Sequence, residues 1–102
     1  MKRAEVFFLF IILFSCSNKD DVSKLNFLNK GNQAYNEGNS ATAIRFYNEA
    51  IAIDSSFVDA WNNRGLAEMS QNLNDEAIYS FNQALFRKPD YALAQLNYVK
   101  AN

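Results

Sequence analysis

The chain has 102 residues, enough for one small domain, and 10 basic against 11 acidic side chains leave a net charge of −1. That balance excludes binding driven by bulk charge, and the absence of histidine removes the commonest general base and zinc ligand. One cysteine excludes an internal disulfide, while three glycines and one proline point to helices joined by short turns.

At the N-terminus, Lys2 and Arg3 precede an unbroken apolar run, Val6 to Phe14 (VFFLFIILF). Nine helical residues reach roughly 14 Å, about half of a ~30 Å hydrocarbon core, which is short for a transmembrane span. A basic start, a short apolar centre and the small Ser15 have the layout of a secretory signal peptide, from which Glu5 departs. The residues Leu13-Phe14-Ser15-Cys16 resemble the lipobox of bacterial lipoproteins, in which a small residue precedes a cysteine that receives a diacylglycerol before cleavage. Phe14 is bulkier than that pattern has at its position. The resemblance implies a signal peptide over 1–15, a lipidated Cys16 that starts the mature chain, and a tether over 16–22. Each buried CH₂ of an acyl chain contributes about 0.8 kcal/mol, so two or three chains hold a protein at a membrane without a spanning helix. The place implied is the bacterial cell envelope, anchored at the outer membrane with the domain on its periplasmic or its surface face. Lys19-Asp20-Asp21 resembles the acidic export signal of surface lipoproteins of Bacteroidota, and reads equally as a solvated spacer. A plain secreted chain, an uncleaved signal anchor and a buried core helix are the other readings of the apolar run.

Beyond the tether the chain repeats itself. Gly31 and Gly65 stand 34 residues apart, as do Phe27 and Trp61, Ala43 and Ala77, Ile44 and Ile78, Tyr47 and Phe81, and Ala50 and Ala84. Within each unit the apolar residues recur at three and four, the period of amphipathic helices. Helices are predicted over 23–37, 41–54, 57–71, 75–88 and 91–101. Gly38 and Asn72 suit left-handed positions closing the first and third of these. Ser56 with Asp59 reads as an acidic capping box opening the third, Asn74-Asp75-Glu76 opens the fourth, and Pro89 ends it. Small residues at Gly31, Ala43 and Ala50 allow helix axes to approach closely, and Tyr47 and Phe81 are expected to pack toward the following repeat.

Spacing and residue types resemble the tetratricopeptide repeat (TPR). The fold class implied is all-α, an α-α superhelix (TPR solenoid) over 23–102, with repeats at 24–57 and 58–91 and a capping helix at 91–101. Stacked repeats expose an apolar face at each end, so the cap matters, and Leu93, Leu96 and Val99 offer a surface for homodimerisation or for a partner.

In that family the first helices of successive repeats line a groove that takes a peptide or a partner's helix. By position, the peptide-binding groove here comprises Leu28, Asn29, Asn32, Tyr35, Asn36, Asn62, Asn63, Leu66, Met69 and Asn97, and it also presents Leu25, Asp59 and Leu93. An asparagine offers a peptide backbone both a donor and an acceptor. The stretch KGNQAYNEGN, 30–39, resembles the chaperone-binding TPR subset, which clamps a C-terminal carboxylate with two asparagines and three cations. Asn32 and Asn63 occupy the asparagine positions, but Leu28, Leu93 and Asn97 stand where the cations belong, so no carboxylate clamp is expected. Lys30, Arg45, Arg64, Arg87 and Lys88 are dispersed rather than striped, which argues against nucleic acid as a partner. No nucleophile–base pair or metal-ligand spacing is present, so neither catalysis nor a cofactor is expected. The function implied is a lipid-anchored adaptor for a protein partner; a self-associating structural subunit is the alternative.

Overall fold

The structure, a computed structural model, describes residues 2–102, with side chains from Lys19 onward. The side chains of the apolar run and of Cys16, and with them the signal-peptide and lipidation readings, lie outside the described residues. Among the described residues five helices follow one another: α1 (Lys2–Asn36), α2 (Ser40–Ile53), α3 (Val58–Ser70), α4 (Asn74–Arg87) and α5 (Ala92–Ala101). Among the described residues there is no strand, and no helix is long and apolar enough to cross a membrane.

The helices pair as α1 with α2 and α3 with α4, and each pair packs on its successor. Helices α1, α3 and α5 also touch one another in sequence, whereas among the described residues α2 and α4 do not meet. The array therefore curves with α1, α3 and α5 on its inner side. What lets the axes approach is a set of fully buried alanines: Ala43, Ala50, Ala60, Ala67, Ala77, Ala84 and Ala94. Larger side chains fill the gaps between them, Tyr47 and Phe81 at 1% and 0% exposure. Each ring lies over the glycine of its own repeat: a Cβ on Gly31 would stand 2.5 Å from Tyr47 Cε1, and one on Gly65 would collide likewise with the Phe81 ring. The expected packing toward the next repeat is also present for Tyr47, which shares a cluster with Ala60 and Ala67 of α3. The contact that demands glycine is nevertheless internal to each repeat.

Gly38 (φ 84°) and Asn72 (φ 62°) are both left-handed, as expected. Each closes its helix with the same pair of bonds, Asn39 N–H to Ala34 O with Gly38 N–H to Tyr35 O, and Leu73 N–H to Glu68 O with Asn72 N–H to Met69 O. The helix starts differ from expectation. Ser56 does not cap α3, whose capping position is Phe57; instead its N–H and hydroxyl both donate to Asp54 Oδ1, at 3.0 and 2.6 Å, tightening the turn after α2. Asn74 is the first residue inside α4 rather than its cap, while Asp75 and Glu76 do occupy the first turn, where they face the positive end of the helix dipole.

The largest difference is the start of α1. Residues 19–22, assigned from sequence to the tether, are already helical. No glycine or proline interrupts the chain between residues 2 and 30, and Lys24 binds Asp21 one turn back at 3.3 Å while reaching Asp54 at 2.7 Å. The acidic stretch is thus the first turn of the domain seen by its side chains, tied to the end of α2. Lys24 holds the Asp54 carboxyl down to about 2, helped by Ser56.

Candidate functional site

On the inner side, three repeats of the same helix bring four asparagines into one hydrogen-bonded row. Asn97 of α5 donates from Nδ2 to Asn62 Oδ1 at 3.1 Å, and Asn62 donates to Asn63 Oδ1 at 3.2 Å. Asn63 of α3 then donates to Asn32 Oδ1 of α1 at 2.9 Å, and the Tyr47 hydroxyl donates to the same oxygen at 2.7 Å. The row ties the inner helices together, and no buried side-chain nitrogen or oxygen among the described residues lacks a partner. Such a network fixes side-chain orientation because breaking any link would strand a desolvated amide. Burial pushes the Tyr47 hydroxyl up to about 12, with the Tyr35 phenol adding to the effect, so Tyr47 stays neutral and a donor.

Above the α1 end of this row lies a cavity of about 240 Å³ lined by Asn32, Tyr35, Asn36, Tyr47, Asn63 and Leu66. Five of these are groove residues expected from sequence. The lining carries no charged side chain: Asn32, Asn63 and Tyr47 are bonded to one another in the row, Tyr35 and Asn36 add a phenol and an amide, and Leu66 is the aliphatic member. Other expected groove residues lie elsewhere. Leu28, 8% exposed, belongs to the core cluster with Ala43 and Tyr47. Asn62 and Asn97, 2% and 8% exposed, are links of the amide row rather than open groups. Asn29 is exposed and Met69 half-buried, and neither lines the cavity.

Tyr47 is the residue that sequence reasoning assigned only to the core. Its signal was available: repeat 2 pairs Phe81 with Leu66, whereas repeat 1 pairs Tyr47 with Asn32 at the same two positions. A buried tyrosine needs a partner for its hydroxyl, and the paired change supplies one.

Four of the five dispersed cations lie against rings. Lys30 lies 5.7 Å from the Phe27 ring centroid, Arg64 and Arg87 lie 4.6 and 5.3 Å from that of Trp61, and Lys88 lies 5.6 Å from that of Tyr91. In repeat 2, Arg64 also donates to Ser80 Oγ at 3.0 Å beside buried Glu68, which accepts from the Ser80 hydroxyl. Burial raises Glu68 above its ordinary value, with Ser80 and Arg64 opposing the shift. Glu68 and Ser80 are buried within this cluster, and Arg64 lies half-buried at its edge. Among the described residues no group of histidine, cysteine, aspartate or glutamate could hold a metal ion.

A curved array of helix pairs with an uncharged cleft on its inner side defines a helical-repeat solenoid, a class of protein-interaction scaffold. Two family models match the chain, "TPR repeat" over residues 31–71 and "Tetratricopeptide repeat" over 58–91, and the chain belongs to the tetratricopeptide repeat family. It is similar to the solved structure of the second TPR domain of Spaghetti (RPAP3) bound to the HSP90 peptide SRMEEVD. The identity is 24%, covering 83% of this chain and 79% of that one, with a TM-score of 0.79. It is also similar to the second TPR domain of human RPAP3, solved in complex with the HSP70 peptide SGPTIEEVD. There the identity is 25%, the coverage 82% and 68%, and the TM-score 0.73. No curated protein matches the chain.

Proposed function

We propose that this protein is an adaptor, anchored by a lipidated Cys16 in the bacterial cell envelope, whose inner face binds an extended, uncharged segment of a protein partner. The observation that carries the binding reading is the pre-ordered amide row flooring a cleft without charge. Amides already fixed by one another lose little further freedom when they meet a peptide backbone. Peptide complexes of similar repeats support the choice of ligand class.

The ligand differs from those peptides in one respect. SGPTIEEVD presents a terminal carboxylate beside acidic side chains. Burying a carboxylate needs opposed cations. The cation positions here hold Leu28 in the core, Leu93 in solvent and Asn97 committed to Asn62. An internal segment, lacking a terminal charge and carrying an apolar side chain for the cavity, fits better.

A photoreactive residue tests the binding half in living cells. At Tyr35 it should yield a discrete adduct that one at exposed Phe86 of α4 does not; equal adducts at both would refute the groove. Fatty-acid labelling tests the anchor: wild type should incorporate label and Cys16→Ala should not, and equal incorporation would sink the lipid reading.

A further inference from the structure

Helix α5 departs from α1 and α3 at their shared glycine position. Counting 34 residues from Gly31 and Gly65 leads to Val99. In the first two repeats an aromatic ring of the second helix occupies the space over the glycine so fully that even a Cβ would overlap it. Val99 carries a Cβ and two methyls, so a helix bearing such a ring cannot cover α5 as α2 covers α1. Yet the face is apolar and open: Leu93, Leu96 and Val99 are 56%, 53% and 69% exposed and recur every three residues. A helix that covers it must therefore present an aliphatic side chain, not a ring, over Val99.

We propose that the occupant is a second copy of this chain, with the two α5 helices antiparallel about a two-fold axis at Leu96. In that register Leu96 meets its own counterpart, and Leu93 meets Val99 of the second copy, so the stripe is self-complementary. Charge selects the direction. Asp90 lies in the turn just before α5 and Lys100 in its last turn, so they stand at opposite ends of the stripe, and among the described residues neither has an ion-pair partner. Antiparallel pairing sets Asp90 beside Lys100 of the second copy at both ends; parallel pairing would oppose like charges. A ten-residue helix offers less than the ~800 Å² per partner of a stable interface, so the dimer exchanges with monomer and depends on concentration. The cavity is lined by α1, α2 and α3 alone, so pairing leaves it open.

Cross-linking of the full chain tests this, with Cys16→Ser as background so that only introduced thiols react. Leu96→Cys should form a disulfide-linked dimer roughly tenfold or more faster than Glu49→Cys, an exposed position on α2, because pairing raises the local thiol concentration. Combining Asp90→Lys with Leu96→Cys should slow the cross-linking, and adding Lys100→Asp should restore it. Equal rates at positions 96 and 49 would overturn the dimer. A rate at position 96 indifferent to the charge reversal, or not restored by the double exchange, would overturn the antiparallel register.

Discussion

Replacing Gly31 with alanine sets two effects of opposite sign against each other. In a helix interior alanine is favoured over glycine by about 1 kcal/mol. Against this, the new Cβ would stand 2.5, 2.7 and 3.0 Å from three atoms of the Tyr47 ring, where ordinary carbon contacts are about 3.5–4.0 Å. Tyr47 is 1% exposed, and moving its ring also stretches its 2.7 Å bond to Asn32. Overpacking costs about 1–3 kcal/mol and a weakened hydrogen bond about 1 kcal/mol more, so Gly31→Ala should lose about 1–3 kcal/mol net. Urea unfolding followed by Trp61 fluorescence reads this as a lower midpoint at unchanged slope. The discriminating control is the same change in a Tyr47→Leu background, where the overlap is gone and alanine should be neutral or stabilising by up to about 1 kcal/mol. A raised midpoint in the otherwise wild-type chain, or equal losses in both backgrounds, would refute the claim that ring contact dictates the glycine.

Three further outcomes are expected. Asn72→Ala should destabilise by about 1 kcal/mol because alanine is strained in the left-handed backbone, while Asn72→Gly should be close to neutral, again read by urea midpoints. Glu68 binds its proton more tightly folded than unfolded, so its contribution to stability falls as pH rises from about 4.5 through its raised folded value; Glu68→Gln should flatten that decline in a pH series of thermal midpoints. Asp54 acts with the opposite sign: its stabilisation is present above its unfolded value of 3.8 and is lost as pH falls toward its folded value of about 2, and Asp54→Asn should remove that acid-side loss.

The helices, their spacing and the two left-handed closures are legible in the sequence because glycine, alanine and asparagine sit where backbone geometry leaves few alternatives. Helix starts are less so. Ser56 has a capping residue's chemistry, but Asp54 lies two residues away and takes both its donors, a competition that periodicity does not register. The start of α1 is hidden because polarity after Cys16 suggests a spacer, whereas an uninterrupted chain and the Lys24 bridges continue the helix. At the groove, position within the repeat groups Asn32, Tyr35, Asn36, Asn63 and Leu66, and these five line one cavity. It does not separate open amides from those already bonded to one another. Asn62 and Asn97 carry the same side chain as Asn32, and only the packing of α5 on α3 decides that they face each other.

Side-chain amide NMR reads whether the amide row receives an uncharged internal segment. A synthetic peptide spanning the segment cross-linked at Tyr35 would be titrated in two forms, free acid and C-terminal amide. The side-chain amide resonances of Asn32, Asn36 and Asn63 should shift, those of surface asparagines such as Asn82 should not, and both forms should bind with the same affinity. Binding by the free acid alone, or shifts that bypass Asn32 and Asn63, would contradict that reading.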